Sequence, residues 1–146
     1  MGRVATTPLS ADDLGADLLS VVARLNRFAT QQAGLGMPVA QGRLLAQVED
    51  RGPSRISDLA AADHCTQPTM TAQVQRLEAG GLVDRVPDPA DARAVLVSVT
   101  SAGRARLAEF RTARGAVVAP GIAQLSAAER TTLTESVQIL RRLLES

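Results

Sequence analysis

At 146 residues and 45% apolar content the chain suits one compact domain, or a small lobe fused to a dimerisation lobe. Phe28 and Phe110 are its only aromatic residues, so the core has to be aliphatic and Ala-rich, which favours helices. The net charge of +1 singles out no partner, and one cysteine, Cys65, with one histidine, His64, excludes an internal disulfide, a CxxC site and a metal centre built within one chain. No cofactor is expected. The sequence holds no long apolar run and no signal-peptide pattern, so a cytoplasmic protein without a membrane partner is expected.

The first apolar series, Leu14, Leu18, Val21, Leu25 and Phe28, steps by four and three and predicts a helix with a narrow seam. Ser10 with Asp13 resembles a capping-box start, and Gly34 and Gly36 end the helix. Pro38 suits the first turn of a second helix carrying Leu44, Leu45 and Val48, which Arg51-Gly52-Pro53 breaks. A short strand is expected before the third helix. Ser57 is the expected N-cap of that helix, Asp58 to Asp63.

Asp63-His64-Cys65 reads as a turn, and Thr66 as the cap of a helix from Gln67 to about Ala79 with Met70, Val74 and Leu77 inward. Gly80-Gly81 stops it. Two helices joined by so short a turn form a helix-turn-helix.

The period then changes from 3.6 to 2. Residues 82–86 and 95–99 read as strands, and residues 87–94, with two prolines, as a long polar projecting loop. That hairpin is a wing. Thr100 caps a helix with Leu107 and Phe110 buried, which Pro120-Gly121 ends or kinks around residues 117–119. Ser126 and Glu129 form a capping box for the last helix, striped by Leu133, Val137, Leu140, Leu143 and Leu144. The expected fold is mainly α with a small β-hairpin wing.

All sixteen basic residues are Arg, yet residues 50–100 hold five Arg against seven acids. Bulk charge therefore does not mark a nucleic-acid surface, and position has to. The outward face of the Thr66–Gly80 helix offers Gln67, Thr69, Ala72, Gln73 and Arg76, with no acid before Glu78. Gln can read adenine, Thr can serve bases or phosphates, and Ala can meet a thymine methyl in a major groove. Arg76 is placed for a phosphate, as are Arg85 at the base of the wing and Arg55 before the short helix. The bland alternative for each lone Arg is a surface ion pair. Arg93 near the wing tip suits a narrow minor groove, whereas Asp91 repels phosphate and is better used to bind loop amides or Arg93. His64 suits a left-handed turn position, and Cys65 a small buried site.

Three motifs carry a resemblance to the MarR (multiple antibiotic resistance regulator) family of winged-helix regulators. They are Leu59-Ala60 with Thr66-Gln67-Pro68-Thr69-Met70-Thr71; Val74-Gln75-Arg76-Leu77-Glu78 with Gly81-Leu82-Val83-Asp84-Arg85; and the wing Asp88-Pro89-Ala90-Asp91-Ala92-Arg93 closing at Val99-Thr100-Ser101-Ala102-Gly103. The resemblance implies a homodimer on double-stranded DNA, with a winged helix-turn-helix over 37–100 and a helical dimerisation region over 1–36 and 101–146. Leu14, Leu18, Val21, Leu25, Leu133, Val137, Leu140 and Leu144 would serve that dimer. Thr66, Gln67, Pro68, Thr69, Ala72, Gln73 and Arg76 would face the major groove, and Arg93, with Asp91 as its paired acid, the minor groove. Many members release DNA when a small, often aromatic or phenolic, molecule binds between the lobes. Any such pocket here has aliphatics, Phe28 or Phe110, Met37 and Arg to line it.

The chain departs from the family at Ala92, where a second basic residue is frequent, and at Asp63 and His64, where an apolar residue and Gly are usual. It also lacks the N-terminal reactive cysteine of the peroxide-sensing branch. The leading expectation is a non-enzymatic repressor of a pseudo-palindromic operator. The competing readings are a winged-helix protein-interaction module without DNA binding and a thiol-responsive regulator acting through Cys65. No nucleophile–base or paired-carboxylate arrangement for an enzyme can be assembled.

Overall fold

The computed structural model describes residues 9–145; the first eight residues and Ser146, the ends of the expected dimerisation region, lie outside the described residues. The described chain runs α1 (Ala11–Gln32), α2 (Val39–Arg51), α3 (Ile56–Ala62), α4 (Gln67–Ala79), β1 (Val83–Asp88), β2 (Asp91–Val99), α5 (Ser101–Ala123) and α6 (Ala127–Leu144). Four caps stand where the sequence puts them. Ser10, Thr66, Thr100 and Ser126 each accept a backbone N–H three residues on, and Glu129 closes a full capping box.

The end of α4 is a Schellman turn. Gly81 takes a φ of +69°, the Gly81 amide donates to the Glu78 carbonyl, and the Leu82 amide donates to the Leu77 carbonyl at 2.9 Å. That reversal aims the chain into β1. A second glycine permits the close return of α5: a Cβ on Gly103 would lie 2.0 Å from the Leu82 carbonyl oxygen.

The core lies inside the winged helix and is built from Leu44, Leu45 and Val48 of α2, Leu59 and Ala60 of α3, Met70, Val74 and Leu77 of α4, Val83, Val97 and Val99 of the hairpin, and Leu107 and Phe110 of α5. The period-3.6 positions of α4 and the period-2 positions of β2 therefore meet on one apolar face. Outside it, α1 packs along α5. Ala29 is the buried residue of α1, and α6 has none.

Four details differ from expectation. The third helix begins at Ile56, with Arg55 rather than Ser57 at its N-cap. Ser54 is pinned by backbone hydrogen bonds in both directions with Val97, so the chain can turn helical as soon as it leaves that bridge. The expected short strand is reduced to this bridge. Pro120 does not end α5, which continues to Ala123; proline keeps a helical φ and forfeits one backbone bond on a solvent-facing stretch.

The wing is also not a long loop. Its strands reach Asp88 and Asp91, leaving Pro89 and Ala90 as the turn. Pro87 is paired with Val95, because both strands of a two-stranded ribbon are edge strands and tolerate a missing N–H. The register slips between Pro87 and Asp88, so that Asp88 faces Asp91 and residues 92–94 bulge out of the ladder.

Candidate nucleic-acid interface

The turn 63–66 sets α4 against α3. His64 adopts φ +52°, the left-handed conformation expected of it, and half-buried Cys65 packs against the core. With Met70, Val74 and Leu77 buried, α4 turns Gln67, Pro68, Thr69 and Arg76 to solvent, while Ala72 and Gln73 are half-exposed on its flanks. Gln75 is also exposed, and its helical angle puts it beside Ala72 and Arg76. Reasoning from the sequence missed Gln75; counting 100° per residue away from the Met70–Val74–Leu77 stripe would have found it. The Thr66 and Thr69 hydroxyls share a hydrogen bond of 2.8 Å, which fixes both at the start of the helix.

The acid of α4, Glu78, does not confront an incoming polyanion alone. Arg85 of β1 donates Nε–H to both of its oxygens at 3.1 Å. The pair neutralises the end of the helix and ties it to the base of the wing, and it also occupies Arg85.

Arg55 is similarly engaged. Its Nη2 and Nε donate to Asp88 Oδ2 at 2.6 and 3.0 Å, and Nη2 lies 3.7 Å from Asp91 Oδ2. The Ala90 amide, donating to Asp88 Oδ1 at 2.8 Å, and then Arg55 hold the Asp88 carboxyl below its ordinary range. Hydrogen bonding to Asp88 in turn raises Arg55 above its own ordinary value. Asp91 accepts the Arg93 amide at 3.0 Å, so it stiffens the tip as its residue type suggests.

Of the four candidate arginines, two are thus committed to ion pairs. Arg76 and Arg93 are exposed, and among the described residues neither has an ion pair. Their guanidinium groups carry free charge on the same side of the lobe as the neutral face of α4 and on the wing tip.

A separate cleft of about 240 Å³ lies between α1, α2 and α5, lined among others by Asn26, Thr30, Arg43, Phe110, Arg111 and Arg114. Arg43 pairs with Asp63 and Arg111 with Glu49, but the buried Nε of Arg114 has no hydrogen-bond partner and its guanidinium stands 5.6 Å from the Phe110 ring centre. Among the described residues no cluster of His, Cys, Asp and Glu could hold a metal, and no helix is long and apolar enough to cross a membrane.

Comparison with known proteins bears on the same elements. A model of the MarR family matches residues 37–95, from α2 into the wing. An HTH-type transcriptional regulator of Mycobacterium bovis is 30% identical over 133 residues, covering 90% of this chain and 93% of that protein. The HTH-type transcriptional repressor NicR of Pseudomonas putida is 30% identical over 152 residues, covering 97% of this chain and 94% of that protein. In fold, the chain matches the crystal structure of a transcriptional regulator from Thermotoga maritima with a TM-score of 0.73 at 23% identity, over 92% of this chain and 95% of that one.

Proposed function

The chain belongs to the MarR family of non-enzymatic, DNA-binding transcription regulators, and we propose that it acts as a homodimeric repressor of a pseudo-palindromic operator. The observation that carries this reading is the pairing of an acid-neutralised α4 face with an unpaired arginine on the wing.

In this reading α4 enters the major groove. Gln67, Gln73 and Gln75 reach base edges, Pro68 and Ala72 meet thymine methyls, and Thr66, Thr69 and Arg76 take phosphates. Arg93 enters the adjoining minor groove. Region 37–100 reads DNA, while 1–36 and 101–146 dimerise. The support for a dimer is the apolar surface that α1 and α6 leave uncovered: Leu14, Val21, Leu25, Leu133, Val137 and Leu144 are exposed, and Leu18 and Leu140 half-exposed. Two lobes on a two-fold axis then match two half-sites about one helical turn apart. The likeness to NicR supports the repressor sense, and in this reading the protein works in the cytoplasm.

Arg93→Ala is expected to weaken binding of a duplex selected from a randomised library about tenfold and to lower the salt slope by about one. Binding that ignores both salt and Arg93 would refute the reading, and a protein partner captured with no duplex bound would favour an interaction module.

The cleft beside Phe110 suits a small aromatic or phenolic effector that packs among its apolar lining and presents an oxygen to Arg114 Nε. Benzoate and phenol are the first probes. At saturating concentration one of them should release the duplex from the wild type, and Arg114→Ala should need at least several-fold more. Release that is indifferent to Arg114 counts against the cleft.

A further inference from the structure

Resting on that reading of the wing, we propose that Arg55 is a positioning residue for Arg93, clamping the wing tip through Asp88 and Asp91, and not a phosphate contact. A two-stranded ribbon is marginal in water without support from a third element. Here the ladder itself stops short of the reading arginine: the register slip leaves residues 92–94 outside the pairing, so the ribbon does not orient Arg93.

What orients it is a relay of hydrogen bonds. Arg55 occupies the N-cap of α3, and its neighbour Ser54 is bonded in both directions to Val97 at the base of β2, so the guanidinium starts from a fixed platform. From there Arg55 grips Asp88 Oδ2, while Asp88 Oδ1 holds the Ala90 amide. The same guanidinium faces Asp91 Oδ2, while Asp91 Oδ1 holds the Arg93 amide. Each carboxylate thus turns one oxygen to the tip backbone and the other to Arg55. The Asp88 side chain is only 9% exposed, so its charge is spent within the protein. A phosphate approaching Arg55 would have to compete with two carboxylates already in place. The clamp spans α3 and the wing, so it sets the angle between the helix-turn-helix and the minor-groove arm.

The two roles predict opposite signs. If Arg55 bound phosphate, Asp88→Asn would release it and tighten binding, and losses from Arg55→Ala and Arg93→Ala would multiply. If Arg55 positions Arg93, Asp88→Asn weakens binding, and the double variant is no worse than Arg93→Ala alone.

The test measures affinity for a duplex selected by the wild-type chain from a randomised library, with melting curves confirming that each variant is folded. Expected are losses of about fivefold for Arg55→Ala and for Asp88→Asn, and a double variant within about twofold of Arg93→Ala. Arg55→Lys, which keeps a cation facing both carboxylates, should bind better than Arg55→Ala, and Asp88→Asn still tests the clamp if Arg55→Ala does not fold. Multiplicative losses, tighter binding by Asp88→Asn, or no gain of Arg55→Lys over Arg55→Ala would each overturn the proposal. If Arg93→Ala has no effect, the wing reading itself fails and the clamp with it; if Arg93 matters but the losses multiply, only the clamp fails.

Discussion

The winged lobe and the α1–α6 helices treat apolar side chains in opposite ways. In the lobe, residues from α2 to α5 close around Leu45, Leu59, Met70 and Leu77, which are wholly buried. In α1 and α6 the seams are as regular, yet Leu14 is 56% exposed and no residue of α6 is buried. Equal periodicity therefore does not mean equal burial. A helix stripe states only that a partner surface is wanted; in the lobe the chain supplies it, and along α1 and α6 a second copy is the proposed supplier.

The sharpest break in this comparison is Gly103→Ala. The added methyl would meet the Leu82 carbonyl, so α5 must lift from the wing base, and a loss of about 4 kcal/mol in unfolding free energy is expected. Denaturant melts should show that loss unchanged by protein concentration, because it lies in the closed lobe.

Leu133→Glu with Val137→Glu probes the open side. Sedimentation should show a dimer turning to monomer, a weakening of at least about a hundredfold, or about 3 kcal/mol. The far-ultraviolet spectrum of the lobe should persist. A double variant that stays dimeric would place the interface elsewhere.

The smallest effects concern the α6 cap. Ser126→Ala should cost about 1 kcal/mol. The Ser126 hydroxyl, and then its amide, hold the Glu129 carboxyl below the ordinary 4.5. A depressed folded value means the cap's contribution is present above the unfolded value and is lost as pH falls through the folded one. Acid titration below about pH 4.5 should therefore fray α6 in the wild type, and Glu129→Gln should flatten that dependence. An unchanged acid profile in Glu129→Gln would remove the cap from the account.

Most of the fold was legible because its signals are local. Serine and threonine caps, the Gly80-Gly81 stop and the switch from period 3.6 to 2 act within a turn or a strand. The errors sit where a distant contact overrode a local preference. Ser57 is a better cap than Arg55 by residue type, but Val97, far along the chain, fixed Ser54 and moved the helix start. Two prolines read as a loop, but Pro87 sits in an edge strand that tolerates it and Pro89 in the two-residue turn.

The candidate site shows the same division. That α4 presents Gln, Thr, Ala and Arg outward follows from spacing alone, apart from Gln75, whose exposure needs the helix angle worked out. Which arginines are free does not follow from spacing. Arg55, Arg76, Arg85 and Arg93 are alike in the sequence, each a lone cation in a slightly acidic stretch. Only the fold brings Glu78 to Arg85 and Asp88 to Arg55, across separations that no local pattern encodes. The sequence by itself determined the element order, the core stripes and the residue types on the reading face, because side-chain period and capping are properties of neighbouring residues. The tertiary structure alone decided which charges remain unspent, because ion pairing at 3 Å depends on where the chain returns to itself.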